Sequence, residues 1–336
     1  MPAAAARPPR ILIFGTGSIG AVYAWVLSRA VGESNIFAVC RSNYDIARRQ
    51  GFTINSALFG ENLNVRPVVV KSAAEAAAAV SSDDEHSFFD YVVVTAKAIP
   101  STPSIPSQIQ DAVGPETSVV LIQNGIGVEE IYRTAFPYNP ILSCVVYLPA
   151  TQISPGVITH AEVEHLHIGT FPSTAPRSHK AGAQAFTDLI QSEPVNATAT
   201  LHDDIQEERW TKLLVNASWN PICALSRSRD AQFLSSSPIA PSIVRSVMLE
   251  VASIARAAGY PDVSPERAEH QLGRAQARTL PGVEPSMQAD ALAGRRLEVD
   301  AIVGNALLIA EDKGVATPLL SLLYALANAL DQRAQL

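Results

Sequence analysis

ILIFGTGSIG, residues 11–20, joins an apolar run to a glycine-rich turn. The run ILIFG (11–15) has the pattern of a short strand buried on both faces. SIGAVYAWVLSRA (18–30) follows with helical periodicity, and NIFAVC (35–40) reads as a second buried strand. Between them Gly15-Thr16-Gly17-Ser18-Ile19-Gly20 has the spacing G-x-G-x-x-G. Alone that spacing is a weak signal. Set between a buried strand and a helix, with another strand after it, it matches what dinucleotide binding requires. Gly15 permits the tight turn, Gly17 lets a pyrophosphate approach the backbone, and Gly20 lets helix and strand pack closely. The helix N-terminus favours the anion.

The end of the second strand bears on the cofactor. An Asp or Glu there holds the ribose hydroxyls of NAD. This chain has Cys40-Arg41-Ser42-Asn43 and no acid until Asp45. A cation suits a 2′-phosphate, so the expected cofactor is NADP(H). Arg41 would carry the contact, helped by Ser42 or Asn43; a solvated surface arginine is the plain alternative.

Further along, DIARRQG (45–51) and SAAEAAAAV (72–80) read as helices. FTIN (52–55), LNVRPVVV (63–70), YVVVTAK (91–97) and TSVVLIQNG (117–125) read as strands, and SSDDEHS (81–87) as a loop. ILSCVVYLPA (141–150), GVITHA (156–161) and EHLHIGTF (164–171) are strand-like. Strands alternating with helices predict a parallel, doubly wound sheet. From about 177 the pattern turns helical, with candidates at 202–226, 241–259, 295–314 and 318–332. Pro221 is expected to kink or break the first of these. The fold class is therefore α/β: an N-terminal Rossmann-type doubly wound domain (1–200) and a mostly α-helical C-terminal domain (201–336).

Composition narrows the function. The 336 residues carry a net charge of −7, which disfavours nucleic acid or an anionic membrane as the main partner. No apolar run reaches bilayer-spanning length. MPAAAARPPR lacks the apolar core of a signal peptide and reads as a frayed tail, so the expected location is cytoplasmic. The three cysteines, Cys40, Cys144 and Cys223, are far apart and read as buried thiols in a reducing compartment. Asn196-Ala-Thr and Asn216-Ala-Ser match the glycosylation acceptor pattern but lack an export signal. His165 and His167 share a strand face, but without a third ligand of suitable spacing they read as ordinary strand residues and no metal is expected.

The remaining polar points are more telling. Lys97 and Asn124 each follow an apolar strand, at the carboxyl ends where open α/β sheets bind ligands. In ERWTKLLVNASWNP (208–221), Lys212, Asn216 and Asn220 recur every four residues. They form one helical stripe, drifting about 40° per step, among mostly apolar neighbours. Such a stripe faces either bulk water or a polar cavity. Ser286 follows Pro285 and reads, taken alone, as a helix cap. Glu298 lies at the start of an apolar helix and reads, taken alone, as a first-turn acid.

Together these motifs resemble the ketopantoate reductase (2-dehydropantoate 2-reductase) family over nearly the whole chain. GTGSIG is similar to its nucleotide loop, and Arg41 to its basic residue after the second strand. Lys97 in VVVTAKA and Asn124 in LIQNGIG match its two cofactor-side positions. KLLVNASWNP resembles its K-x-x-x-N-x-x-x-N-P helix, SMQAD its serine segment, and LEVDAIVGN its E-[IV]-D motif. The resemblance implies NADPH-dependent reduction of a small 2-oxo acid, ketopantoate, to D-pantoate. It implies Lys212 as the catalytic proton donor, supported by Glu298. Asn216, Asn220 and Ser286 would bind substrate, and the glycine loop, Arg41, Lys97 and Asn124 would bind cofactor.

Three features depart from the family pattern: Leu297, the SSDDEHS loop, and Asp230, which stands where many members have asparagine. An aspartate in the site would repel a substrate carboxylate or prefer a different polar group. Two other readings follow, a reductase of a different 2-oxo acid or ketone and a non-catalytic NADP-binding sensor. The apolar C-terminal helices suit a monomer or a homodimer.

Overall fold

The structure, a computed structural model, describes residues 7–81, 88–195 and 197–333. The first six residues of the tail, most of the SSDDEHS loop with His86, and Asn196 lie outside the described residues. Packing divides the chain into two units. The first holds the residues up to Gln123 together with Glu129–Ile205, and the second holds Asn124–Val128 with Gln206–Leu336.

The first unit is built on two sheets. Strands β1 (Ile11–Phe14), β2 (Ile36–Val39), β5 (Val68–Val70), β6 (Tyr91–Val94), β7 (Ser118–Leu121), β8 (Ile141–Tyr147), β11 (His165–Phe171) and β12 (Ala199–Leu201) form the larger one. Their order is β12-β11-β8-β7-β6-β1-β2-β5. β3 (Phe52–Ser56), β4 (Gly60–Val65), β9 (Ala150–Ser154) and β10 (Val157–His160) form the smaller sheet, in the order β4-β3-β10-β9. The helices of this unit are α1 (Ser18–Val31), α2 (Tyr44–Gln50), α3 (Ala73–Ser81), α4 (Ile105–Ile109), α5 (Glu130–Ala135) and α6 (Arg177–Ile190).

The continuous apolar runs have a direct cause. Successive side chains of β1 point to opposite faces, so Ile11 and Ile13 join one core while Leu12 and Phe14 join another, and all four are buried. β6 and β7 divide in the same way, with Val93 and Val120 in the first core and Val92, Val94, Val119 and Leu121 in the second.

Two sheet expectations change. The larger sheet is parallel from β5 to β8, but β11 pairs antiparallel with β8, so β11 and β12 run against the rest. LNVRPVVV is not one strand. Val65 ends β4 of the smaller sheet, and Val68 opens β5 of the larger one. Pro67 lies between them; it cannot donate a ladder hydrogen bond, and it biases Arg66 out of helical geometry.

The second unit is helical: α7 (Gln206–Ser226), α8 (Asp230–Ser236), α9 (Ala240–Ala257), α10 (Pro265–Gln276), α11 (Ser286–Leu292), α12 (Asn305–Lys313) and α13 (Pro318–Arg333). α7 runs through Pro221 without ending. The proline withdraws an amide from the Ala217 carbonyl, but every residue from Ala217 to Ala224 is buried. Packing holds the helix where the local preference would stop it.

The helix expected over 295–314 begins later. Arg295–Glu298 are not helical, and a π-helical turn, Asp300–Gly304, leads into α12. Asp331 on α13 explains the delay. Its carboxylate accepts the Leu297 amide at 2.7 Å and the Arg296 Nε–H at 2.9 Å, so this segment is satisfied without a helical turn.

Residues 124–128 follow β7 yet pack with the helices. Ile126 donates to the Ala301 carbonyl at 3.1 Å, and Asn305 donates to the Ile126 carbonyl at 2.7 Å. Gly125 has φ +101°, and a Cβ there would overlap the Ala301 backbone. Only glycine fits both the conformation and the approach.

Candidate active site

In the first unit the nucleotide loop has the geometry its glycines imply. Gly15 has φ +96°, and a Cβ there would collide with the Ala96 backbone. A Cβ on Gly17 would meet nothing within 4 Å, which leaves open space for a phosphate beside the first turn of α1. A Cβ on Gly20 would press on Thr95 Oγ1 and the Gly15 carbonyl. Thr95 also braces the loop directly, its hydroxyl donating to the Gly15 carbonyl at 2.8 Å. Thr16 is buried, its hydroxyl donating to the Val39 carbonyl at 3.2 Å, while Ser18 and Ile19 begin α1 half-buried. Lys97 follows β6, exposed.

Arg41 is exposed and donates from Nη2 to Gln108 Oε1 at 2.7 Å. Asn43 does not share its outlook. It is buried, with Nδ2 donating to the Thr16 carbonyl at 3.3 Å and to Gln152 Oε1 at 2.7 Å. Gln152 Nε2 returns a bond to Asn43 Oδ1 at 3.2 Å. Asn43 therefore braces the nucleotide loop against the smaller sheet, a different role from the phosphate contact considered for it.

In the second unit α7 carries the polar stripe. Lys212 Nζ donates to Asn124 Oδ1 at 3.0 Å. Asn124 stands there because Arg209, one turn earlier on α7 and buried, donates from Nη1 to the Gly125 carbonyl at 2.9 Å. One helical turn thus grips the 124–128 segment at two adjacent residues. Burial, and then the Arg209 guanidinium, lower the Lys212 ammonium to a pKa of about 8, with Glu298 and Glu208 opposing that shift. Glu298 is itself buried. A lysine poised near 8 is charged at neutral pH yet gives up its proton far more readily than an exposed lysine.

Asn216, one turn on from Lys212, is half-buried, and among the described residues its amide makes no hydrogen bond. Asn220 Oδ1 accepts the Met287 amide at 2.9 Å and the Ser286 hydroxyl at 3.3 Å. This leaves the Asn220 NH2 group to turn toward another acceptor. The second unit therefore gathers Lys212, Asn124, Asn216, Asn220, Ser286 and Glu298. The glycine loop, Arg41 and Lys97 belong to the first unit.

Two residues escaped the sequence reading. Arg209 is a buried cation three residues before Lys212; it follows Gln206-Glu207-Glu208, so in sequence it reads as one more charge at a helix start. Lys71 follows β5 as Lys97 follows β6; the expected strand 63–70 ends at the same Val70, but its pairing beside β2 shows only in the structure.

Asp230 is not a substrate-facing group. It is 1% exposed, ion-paired with Arg278, and accepts the Ala231 and Val283 amides, each at 2.7 Å. Its oxygens are engaged in fastening α8 to the turn before Val283.

His165 and His167 stack at 4.0 Å between ring centroids, and His202 joins them through a 2.8 Å contact to His167 Nδ1, a partner the sequence did not suggest. Among the described residues no group of three or more His, Cys, Asp or Glu could hold a metal ion. Cys40, Cys144 and Cys223 are buried and form no disulfide. No helix among the described residues is long and apolar enough to cross a membrane.

Comparison with known proteins places this arrangement. Residues 11–173 match the family described as "Ketopantoate reductase PanE/ApbA", and residues 204–331 match "Ketopantoate reductase PanE/ApbA C terminal". The chain belongs to the ketopantoate reductase family. It is accordingly an oxidoreductase acting on CH–OH groups. A 2-dehydropantoate 2-reductase of Mesorhizobium japonicum is 29% identical over 347 residues, covering 96% of this chain and 97% of that protein. The crystal structure of 2-dehydropantoate 2-reductase from Methylococcus capsulatus superposes with TM-score 0.79 at 30% identity, over 97% of this chain and 98% of that one. D-mandelate dehydrogenase, solved with NADH and anilino(oxo)acetate, shares the fold of this chain with TM-score 0.82 at 22% identity, over 97% of this chain and 99% of that one.

The Lys212 ionisation gives a prediction of its own. A Lys212 that donates the proton from its ammonium form would make kcat/KM for ketone reduction flat below pH ~7 and falling about tenfold per unit above pH ~8. A rate that holds level to pH ~10 would show that Lys212 does not supply the proton.

Proposed function

We propose that this protein reduces 2-dehydropantoate (ketopantoate) to D-pantoate with NADPH. The observation that carries the reading is Lys212, lowered to about 8 and hydrogen-bonded to Asn124 in the unit that also holds Asn216, Asn220, Ser286 and Glu298.

The first unit fits a nicotinamide dinucleotide. Open space over Gly17 at the start of α1 suits the pyrophosphate, and the absence of an acid at positions 40–44, with Arg41 in its place, suits a 2′-phosphate. Lys97 adds a cation at the end of β6. When bound, the nicotinamide supplies the hydride that adds to the ketone carbon. As that bond forms, charge gathers on the ketone oxygen, and Lys212 Nζ stabilises it and passes it a proton. Glu298 keeps the lysine charged until transfer. Asn216, the Asn220 NH2 group and the Ser286 hydroxyl orient the carboxylate and hydroxyl of the substrate without adding charge.

Ketopantoate is favoured over other 2-oxo acids because Asp230, the main sequence feature pointing elsewhere, is engaged within the fold. NADPH absorbance should therefore fall fastest with ketopantoate in a panel with pyruvate, 2-oxoisovalerate and benzoylformate. Faster turnover of another ketone would retain the mechanism and replace the substrate; no turnover of any would leave a binding protein.

Arg41→Ala should weaken NADPH by roughly tenfold and NADH by less than twofold, as read by nucleotide fluorescence titration. Equal losses would show that Arg41 does not read the 2′-phosphate.

A further inference from the structure

We infer that Lys71 is a second cation of the 2′-phosphate site, held in place by the Tyr44 ring, and that it shares with Arg41 the discrimination between NADPH and NADH. The inference rests on the NADP(H) reading above and adds a determinant to it.

Strand register brings the two cations together. Val39 of β2 pairs with Val70 of β5, and the Cys40 amide donates to the Val70 carbonyl at 2.9 Å. The residues that follow, Arg41 and Lys71, therefore leave neighbouring strand ends side by side. Both line one hollow, together with Cys40, Tyr44 and Asp45.

Each cation is oriented before any ligand arrives. Lys71 Nζ lies 4.9 Å from the centroid of the Tyr44 ring, within cation–π range. Its own backbone amide is tied to Glu75 Oε2 at 2.8 Å, which fixes the strand end at the start of α3. Arg41 donates to Gln108 Oε1, and Gln108 is anchored in turn by its Nε2 donating to the Pro103 carbonyl at 2.8 Å. Among the described residues neither Arg41 nor Lys71 makes an ion pair. Two preset cations without acidic partners favour a doubly charged phosphate monoester. Asp45 also lines the hollow, and it leaves the set with one net positive charge.

A neutral ribose hydroxyl gains little from this arrangement. A 2′-phosphate gains two charge-assisted contacts, worth roughly an order of magnitude in affinity each. Lys71 should therefore act on the phosphorylated nucleotide alone. Its exposed side chain makes replacement compatible with the fold, which an unchanged melting temperature would confirm.

The test is calorimetric titration of the full-length protein with 2′,5′-ADP and with 5′-AMP. In Lys71→Met the affinity for 2′,5′-ADP should drop about tenfold while that for 5′-AMP stays within about twofold, and Lys71→Arg should restore most of the loss. Unchanged 2′,5′-ADP binding, or equal losses for both nucleotides, would overturn the role of Lys71. A wild-type protein that binds the two nucleotides alike would overturn the NADP(H) reading itself, and this inference with it.

Discussion

Lys212→Ala is expected to lower turnover of ketopantoate by ~10²–10⁴ while NADPH affinity changes by less than about twofold. The size follows from what the proposed role would lose: the cation opposite the developing oxyanion and the proton delivered to it. The small change in NADPH affinity is expected because the glycine loop and Arg41, which carry most of the proposed nucleotide contacts, belong to the other unit. Stability offers an independent check. The folded protein holds Lys212 at about 8 against an ordinary 10.5. Below pH ~8 the fold therefore carries a charged, partly buried ammonium at a cost, which is relieved as pH rises from about 8 to 10.5. Lys212→Met removes that cost, so at pH 7 its melting temperature should not fall below that of wild type. A variant that loses turnover only by unfolding would show the reverse. Unchanged turnover in Lys212→Ala would remove the lysine from the mechanism.

The sequence made some of this plain and hid the rest for physical reasons. GTGSIG was legible because few residue types tolerate a tight turn, a phosphate approach and close helix packing, so the glycines report their own surroundings. The four-residue spacing of Lys212, Asn216 and Asn220 was legible because a polar stripe on an apolar helix has few explanations. Segment 124–128 was not. It follows a buried strand, and only the bonds from Arg209, Ala301 and Asn305 show that it packs with the helices. The late start of the helix after Glu298 depends on Asp331, more than thirty residues away, and no local pattern records such a bond. Lys71 was hidden because its meaning depends on β5 lying beside β2, a pairing between distant segments that no local pattern records. The reversed strands β11 and β12 are short alternating runs whose direction is set by their neighbours alone.

Asp230→Ala should destabilise the helical unit by about 1–3 kcal/mol, the range for leaving buried hydrogen-bonding groups without their acceptor, since Asp230 is buried while its partner Arg278 is half-exposed. The loss has several parts. Arg278 keeps its charge without its partner, and the Ala231 and Val283 amides lose the carboxylate they share. Gly282, beside the same carboxylate with φ +85°, leaves that turn no side chain with which to compensate. Asp230→Asn should cost less, because both backbone amides donate to the same oxygen, Oδ1, which an amide oxygen can replace, while the ion pair made by Oδ2 is gone. If Asp230 instead selected substrate, Asp230→Asn would fold as well as wild type and shift the ranking among ketopantoate, pyruvate and benzoylformate. The structure predicts the opposite: a lower denaturant midpoint, with the substrate ranking of the folded fraction unchanged. Measuring both on one preparation separates the two roles, because a group fully engaged in holding a turn has no free oxygen with which to read a ligand.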